Sequence, residues 1–286
     1  MSLKEKFGGE NMYELILGLG MGFKETPAQQ MKIAKSVGWD GIFTGWSKSE
    51  NLEEYAKCAQ EQGLIYQSVH APFGNVDKIW ESETEGDRYA EEQIECLRQS
   101  CDVGVNLVVA HAIIGMERCT PTALGLKRFE KIFNAAENLG VTVALENTEG
   151  EIYVEALMKE FGSSDRVRFC IDTGHEMCYN ASRDIIGKYA EKLICTHLND
   201  NMGQTGESIT WLDDSHLLPF DGVGDWNGIA QRLKKAGYQN HLTFELTSKS
   251  KPERNTHDIY AHLDCEGFVA LALERARKFR NIIEAK

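Results

Sequence analysis

Nine side chains with oxygen or imidazole donors fall at the ends of short apolar runs in this 286-residue sequence, or in the loop that follows one. They are His70, His111, Glu146, Asp172 with His175, His197, Asp214 with His216, and Glu245. Imidazole nitrogen and carboxylate oxygen are the donors that zinc, manganese and related divalent ions accept. One histidine at a strand end is most simply a hydrogen-bonded residue, so the set carries the reading and no single member does. Five of the eight histidines belong to it, and only His241, His257 and His262 fall elsewhere. Glu146, Asp172, His197 and Glu245 are the expected shared metal site. His70, His111, Asp214 and His216 are expected either to add ligands or to touch substrate.

Local patterns refine this. In Asp172-Thr-Gly-His175 the aspartate ends a run facing inward, and a tight turn returns the histidine over the same end; an Asx turn capping the next helix is the competing reading. Glu146-Asn-Thr sets a carboxylate before polar residues able to hold it in place. Glu151 either favours a helix start through its charge or reaches a substrate. Trp46, Phe73, Trp211, Phe220 and Trp226 are candidates to stack on the flat face of a ligand, with packing of the rim as the alternative.

Such scattered residues meet only if the fold gathers them. Short apolar runs alternate with helical patterns throughout, as in βαβ units with a parallel sheet. Expected strands are 15–19, 41–44, 65–70, 107–111, 141–146, 167–172, 193–198 and 242–246. Expected helices are 28–37, 52–62, 87–103, 122–139, 152–161, 183–190, 226–236 and 256–283. Thr26-Pro27 and Thr120-Pro121 read as helix starts, and Gly38, Gly63, Gly140 and Gly237 as stops. Eight units with no linker predict one α/β domain over residues 1–286, a single (β/α)8 TIM barrel, with residues 1–12 as a flexible tail. Its active site would lie at the C-terminal strand ends, where all nine donors fall. The segment Asn199 to Asp225 is expected to be a functional loop at that mouth. A doubly wound open sheet is the alternative architecture. Gly18-Leu-Gly20-Met-Gly22 lacks the third glycine of a dinucleotide fingerprint and reads as a turn.

Composition narrows the partners. A net charge of −13 disfavours nucleic acid and anionic lipid. No apolar run reaches the roughly 18 residues that cross a bilayer, and the polar N-terminus lacks a secretory core. The eight cysteines show no Cys-x-x-Cys and are expected to be reduced and mostly buried. A cytoplasmic location is the expectation. The last helix is expected to close the barrel, and it is long enough to offer a homo-oligomer face.

The segments Ser68-Val-His-Ala-Pro72, Ala144-Leu-Glu-Asn147, Ile171-Asp-Thr-Gly-His175, Thr196-His-Leu-Asn-Asp200, His216 to Gly222 with Asp225-Trp226, and Thr243-Phe-Glu245 resemble, in order, motifs of the xylose isomerase-like TIM barrels. That group includes sugar isomerases, ketose 3-epimerases, inosose dehydratase-like proteins and the endonuclease IV branch. The resemblance to the epimerases implies a metal held by Glu146, Asp172, His197 and Glu245. The two glutamates would be the catalytic proton carriers through a metal-stabilised enediolate, and His175 would hydrogen-bond a substrate oxygen. The epimerases usually carry an arginine shortly after the His197-type motif, and Asn199-Asp-Asn-Met-Gly203 has none. The full nine-residue set also matches, type for type, the three-zinc site of the endonuclease IV branch, which implies hydrolysis of phosphodiesters. The densest basic run, Arg275 to Arg280, lies on the last helix, away from the expected mouth.

The expectation is therefore a sugar or sugar phosphate isomerase or epimerase with one to three divalent ions, manganese or zinc ahead of magnesium or cobalt. Its substrate would be a small carbohydrate, contacted by His70, His111, His175, Glu151, Trp211 and Phe73. A multi-metal hydrolase, or a dehydratase or lyase on the same residues, is the alternative. A binding protein without catalysis is the third reading.

Overall fold

Eight parallel strands run in the order β7-β6-β5-β4-β3-β2-β1-β8. They are β1 (Leu15–Gly18), β2 (Gly41–Gly45), β3 (Ile65–His70), β4 (Leu107–His111), β5 (Thr142–Glu146), β6 (Val167–Asp172), β7 (Leu193–His197) and β8 (Leu242–Phe244). The computed structural model describes residues 13–81, 84–115, 120–181 and 183–285; the tail expected at 1–12 and Cys119 lie outside the described residues. Between the strands lie α1 (Pro27–Val37), α2 (Leu52–Gln62), α3 (Asp77–Glu81), α4 (Glu85–Asp102), α5 (Ala123–Leu139), α6 (Glu151–Phe161), α7 (Thr173–Cys178), α8 (Ile185–Lys188) and α9 (Trp226–Lys235), with α10 (Cys265–Glu284) at the end. This is a single (β/α)8 TIM barrel.

The sheet closes at a seam between β7 and β8 that is not a regular ladder. Leu198 donates its N–H to Thr243 O at 2.8 Å, and the Thr196 hydroxyl accepts from Thr243 N at 3.0 Å. A side chain thus supplies part of what a strand pair would give.

Two register pairs set up the mouth. His111 lies beside Glu146 across β4 and β5, and Asp172 beside His197 across β6 and β7. Adjacent parallel strands therefore deliver adjacent donors.

Helix punctuation follows local chemistry. Thr26 caps α1 with a reciprocal Gln29 contact ahead of Pro27, and Gly38, Gly63 and Gly140 end their helices in the left-handed conformation. The fifth helix is a correction: Thr122, not Thr120, is its cap. The Thr122 hydroxyl accepts from Gly125 N at 3.0 Å and donates to Trp80 O at 2.7 Å, which fixes the start two residues later. The helix expected over 183–190 is reduced to α8 and a following 3-10 turn. The last helix starts at Cys265 because Asp264 takes the Gly267 N–H at 2.9 Å. The residues before it are instead tied to the mouth loop, where the Tyr260 hydroxyl donates to Asp221 at 2.9 Å and accepts from Leu218 N at 3.1 Å. No helix among the described residues is long and apolar enough to cross a membrane.

Candidate metal centre

Glu146 is the hub of the mouth. It is fully buried at the end of β5, and its two oxygens face different partners. Oε2 lies 3.1 Å from His70 Nε2 and 3.0 Å from His111 Nε2, whereas Oε1 lies 2.8 Å from His197 Nδ1. Glu245, just beyond β8, brings Oε2 to 3.2 Å from the same His197 nitrogen. Asp172 completes this group: one potential ligand atom from each of Glu146, Asp172, His197 and Glu245 lies within 4.8 Å of the others. His70, His111 and Glu146 form a second such group, and Asp172, His175 and His216 a third. Asp214 Oδ2 stands beside that third group, 3.1 Å from His216 Nε2 and 3.4 Å from His175 Nε2.

The structure thus brings together all nine donors expected from the sequence. Both readings of Asp172-Thr-Gly-His175 apply at once. Asp172 caps α7, Oδ1 accepting from His175 N at 2.6 Å, and that cap is what turns the imidazole back over the mouth.

Charge explains the state of these groups. Burial pushes His197 and His175 towards the neutral form, but Glu146 and Glu245 beside the first, and Asp172 and Asp214 beside the second, hold both well above the ordinary histidine range. His216 is likewise opposed by burial yet raised to about 9, chiefly by Asp214. For His111 burial wins, and it is lowered. Burial works against ionisation of Glu245, yet the His197 charge brings it down to about 2. For Asp172 burial prevails and raises it to about 6. Four carboxylates packed among five imidazoles bind protons to balance their charge, and a divalent ion answers the same need.

One atom of the donor set supplies a structural test for metal: Asp214 Oδ1 is buried with no hydrogen-bond partner, an arrangement that costs free energy unless something else satisfies it. The unpartnered nitrogens of His111 and His197, Nδ1 and Nε2, are the ring atoms opposite those that face Glu146. Other ring nitrogens are oriented by backbone, as ligating imidazoles usually are: His70 Nδ1 by Ala71 O at 2.8 Å and His175 Nδ1 by Asn147 O at 2.8 Å.

Several residues position these donors; Asn147, expected to hold Glu146, holds Asp172, and the others were not singled out from the sequence. Asn147 accepts from Asp172 N at 2.7 Å and donates to Asp172 O at 2.9 Å. Asn199 donates to Asp172 Oδ2 at 2.7 Å. Asn201 Oδ1 accepts from Ser215 N at 2.5 Å and His216 N at 3.2 Å, and so holds His216 at a positive φ of 54° that a side-chain-bearing residue adopts at a cost. Buried Asp200 ties down the long loop by accepting from Phe220 N, Gly224 N and Trp226 Nε1 at 3.0, 2.9 and 2.8 Å. The run of polar residues Asn199-Asp-Asn201 was the available signal. Phe43 stacks on His197 with ring centroids 4.7 Å apart, and Gly18 makes room for it, since a Cβ there would meet the Phe43 ring at 2.6 Å. Close packing is the role of that first glycine. Cys170 and Cys195, on β6 and β7, lie within 4.8 Å of a His197 nitrogen and are buried.

A cavity of about 610 Å³ opens at this end of the barrel, bordered by His70, His216 and Glu245, by Trp46 and Phe73, and by Lys249 and Lys251. Phe73 is exposed and stacks on His111 at 4.7 Å. Two larger grooves, of about 960 and 970 Å³, are lined by none of the nine donors. Other expected contacts are elsewhere. Glu151 starts α6 and is engaged by Arg183 and Lys188, beside a separate cavity of about 350 Å³. Trp211 is exposed on the mouth loop under the Lys251 ammonium. Trp226 is buried, with its indole N–H on Asp200.

The chain belongs to the xylose isomerase-like TIM barrel family, whose model matches residues 31–264. An uncharacterized protein of Sinorhizobium fredii, y4fM, is 26% identical over an alignment of 264 residues that covers 79% of this chain and 81% of that one. Among solved structures, the IolI protein with a bound zinc atom has a TM-score of 0.75 at 17% identity, covering 96% of this chain and all of its own. D-psicose 3-epimerase in the presence of D-fructose has a TM-score of 0.69 at 14% identity, covering 95% and 100%. A fusion of a xylose isomerase-like barrel with a 4-hydroxyphenylpyruvate dioxygenase also reaches 0.75, at 12% identity. This chain is covered to 95% in that match and spans 43% of the fusion protein. These likenesses are likenesses of fold.

Proposed function

We propose that this protein is a divalent-metal-dependent isomerase or epimerase that moves a proton on a small carbohydrate through an enediolate. The observation that carries the reading is the convergence of Glu146, Asp172, His197 and Glu245 on one point beside a cavity of sugar size that Glu245 lines. Family membership and the epimerase named among the fold neighbours support it.

When bound by that quartet, a divalent ion supplies Lewis acidity to a substrate carbonyl and its neighbouring hydroxyl. The protein does the rest. Glu245 is the less buried glutamate, 29% exposed against 0% for Glu146, and its carboxylate stays ionised, so it is the base that takes the proton from carbon. An epimerisation returns a proton to the opposite face. The second carboxylate, Glu146, must then arrive protonated, and His70, whose Nε2 lies 3.1 Å from its Oε2, is the imidazole within reach to protonate it. His175, with Nε2 towards the mouth loop, hydrogen-bonds a substrate oxygen. Trp46 and Phe73 border the cavity, where they pack against the sugar and limit water.

The hydrolase reading is kept on one observation: Glu146 Oε2 serves His70 and His111 as a separate donor group, so further ions beside the quartet are accommodated. A shared carboxylate suits a multi-metal clamp on a phosphate ester. Solvent deuterium decides between the two. The metal-loaded protein is expected to wash deuterium into a sugar C–H, and Glu245→Gln to slow this at least ~10²-fold while the protein stays folded. Cleavage of a phosphodiester to a phosphomonoester and an alcohol, with no exchange, would favour hydrolysis and overturn the isomerase.

A further inference from the structure

The geometry points to an oxyanion-bearing sugar, a phosphate ester or a sugar acid, as the ligand of this cavity, with Lys249 and Lys251 gripping the anion. This deepens the proposed function and rests on the same cavity.

Both lysines follow β8 and border the cavity that His216 and Glu245 also line. Their backbone is fixed. Thr247 N donates to His216 O at 3.1 Å, Ser248 N to Met21 O at 3.0 Å, and Lys249 N to the Thr247 hydroxyl at 3.2 Å. The Lys249 stem crosses the loop after β1 at Gly22, where an added Cβ would come within 2.5 Å of Lys249 Cγ. Gly22 has a φ of 85°, so glycine is required there twice over. The Lys251 ammonium lies 5.7 Å from the centre of the Trp211 ring and 3.9 Å from Asp214 Oδ2. Among the described residues Lys249 makes no ion pair, which leaves its charge for a ligand.

The placement runs against the charge of the whole. The chain is −13, yet the cations lining this cavity among the described residues, apart from its histidines, are these two lysines. An ammonium group only donates hydrogen bonds. Sugar hydroxyls need donors and acceptors alike, so a neutral sugar gains little from two ammonium groups, whereas an oxyanion uses both.

Calorimetric titration of the metal-loaded, full-length protein with D-fructose 6-phosphate, D-fructose and D-gluconate tests this. An anionic sugar is expected to bind at least about tenfold more tightly than D-fructose, the two anions distinguishing phosphate from carboxylate. K249Q should reduce that preference and the double variant K249Q/K251Q should bring it near unity, with metal content unchanged by K249Q. Two results would overturn the proposal: neither anion binding more tightly than D-fructose, or a preference that survives in the double variant. Loss of sugar proton exchange would instead count against the proposed reaction, and it leaves the affinity ratio readable.

Discussion

The inner and outer halves of the mouth hold similar donors by different means. Glu146, Asp172 and His197 end strands, and each is placed by the ladder it belongs to: His111 beside Glu146, Asp172 beside His197. Asp214 and His216 sit on the long loop after β7, with no strand ladder behind them, only a single Asp200–Leu217 bridge and a bond from Thr247 N to His216 O. They are placed by Asn201 and Asp200, whose side chains take the N–H groups of Ser215, His216, Phe220 and Gly224. Strand register positions a ligand through many backbone bonds. A loop positions it through two or three side chains, each of which one substitution removes.

The contrast yields graded expectations. Glu146→Gln should have the largest effect, because it removes the carboxylate shared by the inner quartet and the His70–His111 pair. A loss of at least ~10³-fold in proton exchange is expected; exchange within tenfold of wild type would break the account of Glu146 as hub. Next comes Asn201→Ala, expected to lower metal affinity at the outer group about 10–100-fold while the inner quartet keeps its ion. Competition with a chromophoric chelator measures this, and equal loss at both groups would erase the distinction between them.

Proton linkage gives the smaller effects. His216 is raised to about 9 and must give up its proton to ligate, so metal affinity should weaken as pH falls from 9 to 6.5, with protons released on binding. Calorimetry in buffers of different ionisation heat detects that release; pH-independent affinity would contradict it. In the metal-free protein the raised His216 contributes stability that is fully present below its unfolded value of about 6.5 and is lost as pH rises through about 9. The unfolding temperature without metal should therefore fall across that window, and the metal-loaded protein should show less of the fall.

What the sequence made legible divides along the same line. All eight strands lie where apolar runs between glycines and prolines put them, within one or two residues, because a barrel strand is buried on both faces and reads as a continuous apolar run. The nine donors were legible for the same reason, since position relative to a strand end can be counted along the chain. The cap that begins α5, the shortness of α8 and the start of α10 were not, because each depends on a side chain choosing one backbone partner over another a few residues away. Asn147 was read as holding Glu146 and holds Asp172 instead, and Asn199 and Asn201 escaped notice, because an asparagine's role depends on what it faces, and Asp172, Ser215 and His216 are its neighbours only after folding. Of the two roles read for Glu151, a helix start and a substrate contact, it takes the first turn of α6, and Arg183 and Lys188, from a later segment, engage its carboxylate.

The most direct test of the central claim, a metal centre joined through Glu146, is a count of divalent ions per chain by plasma mass spectrometry on wild type, His111→Ala and Glu146→Gln. The account predicts at least one ion in wild type, held by the quartet and lost in Glu146→Gln; a further ion reduced by His111→Ala would move the reading towards the multi-metal hydrolase. A protein that takes up no metal, or one that holds a single ion unaffected by either substitution, would contradict it.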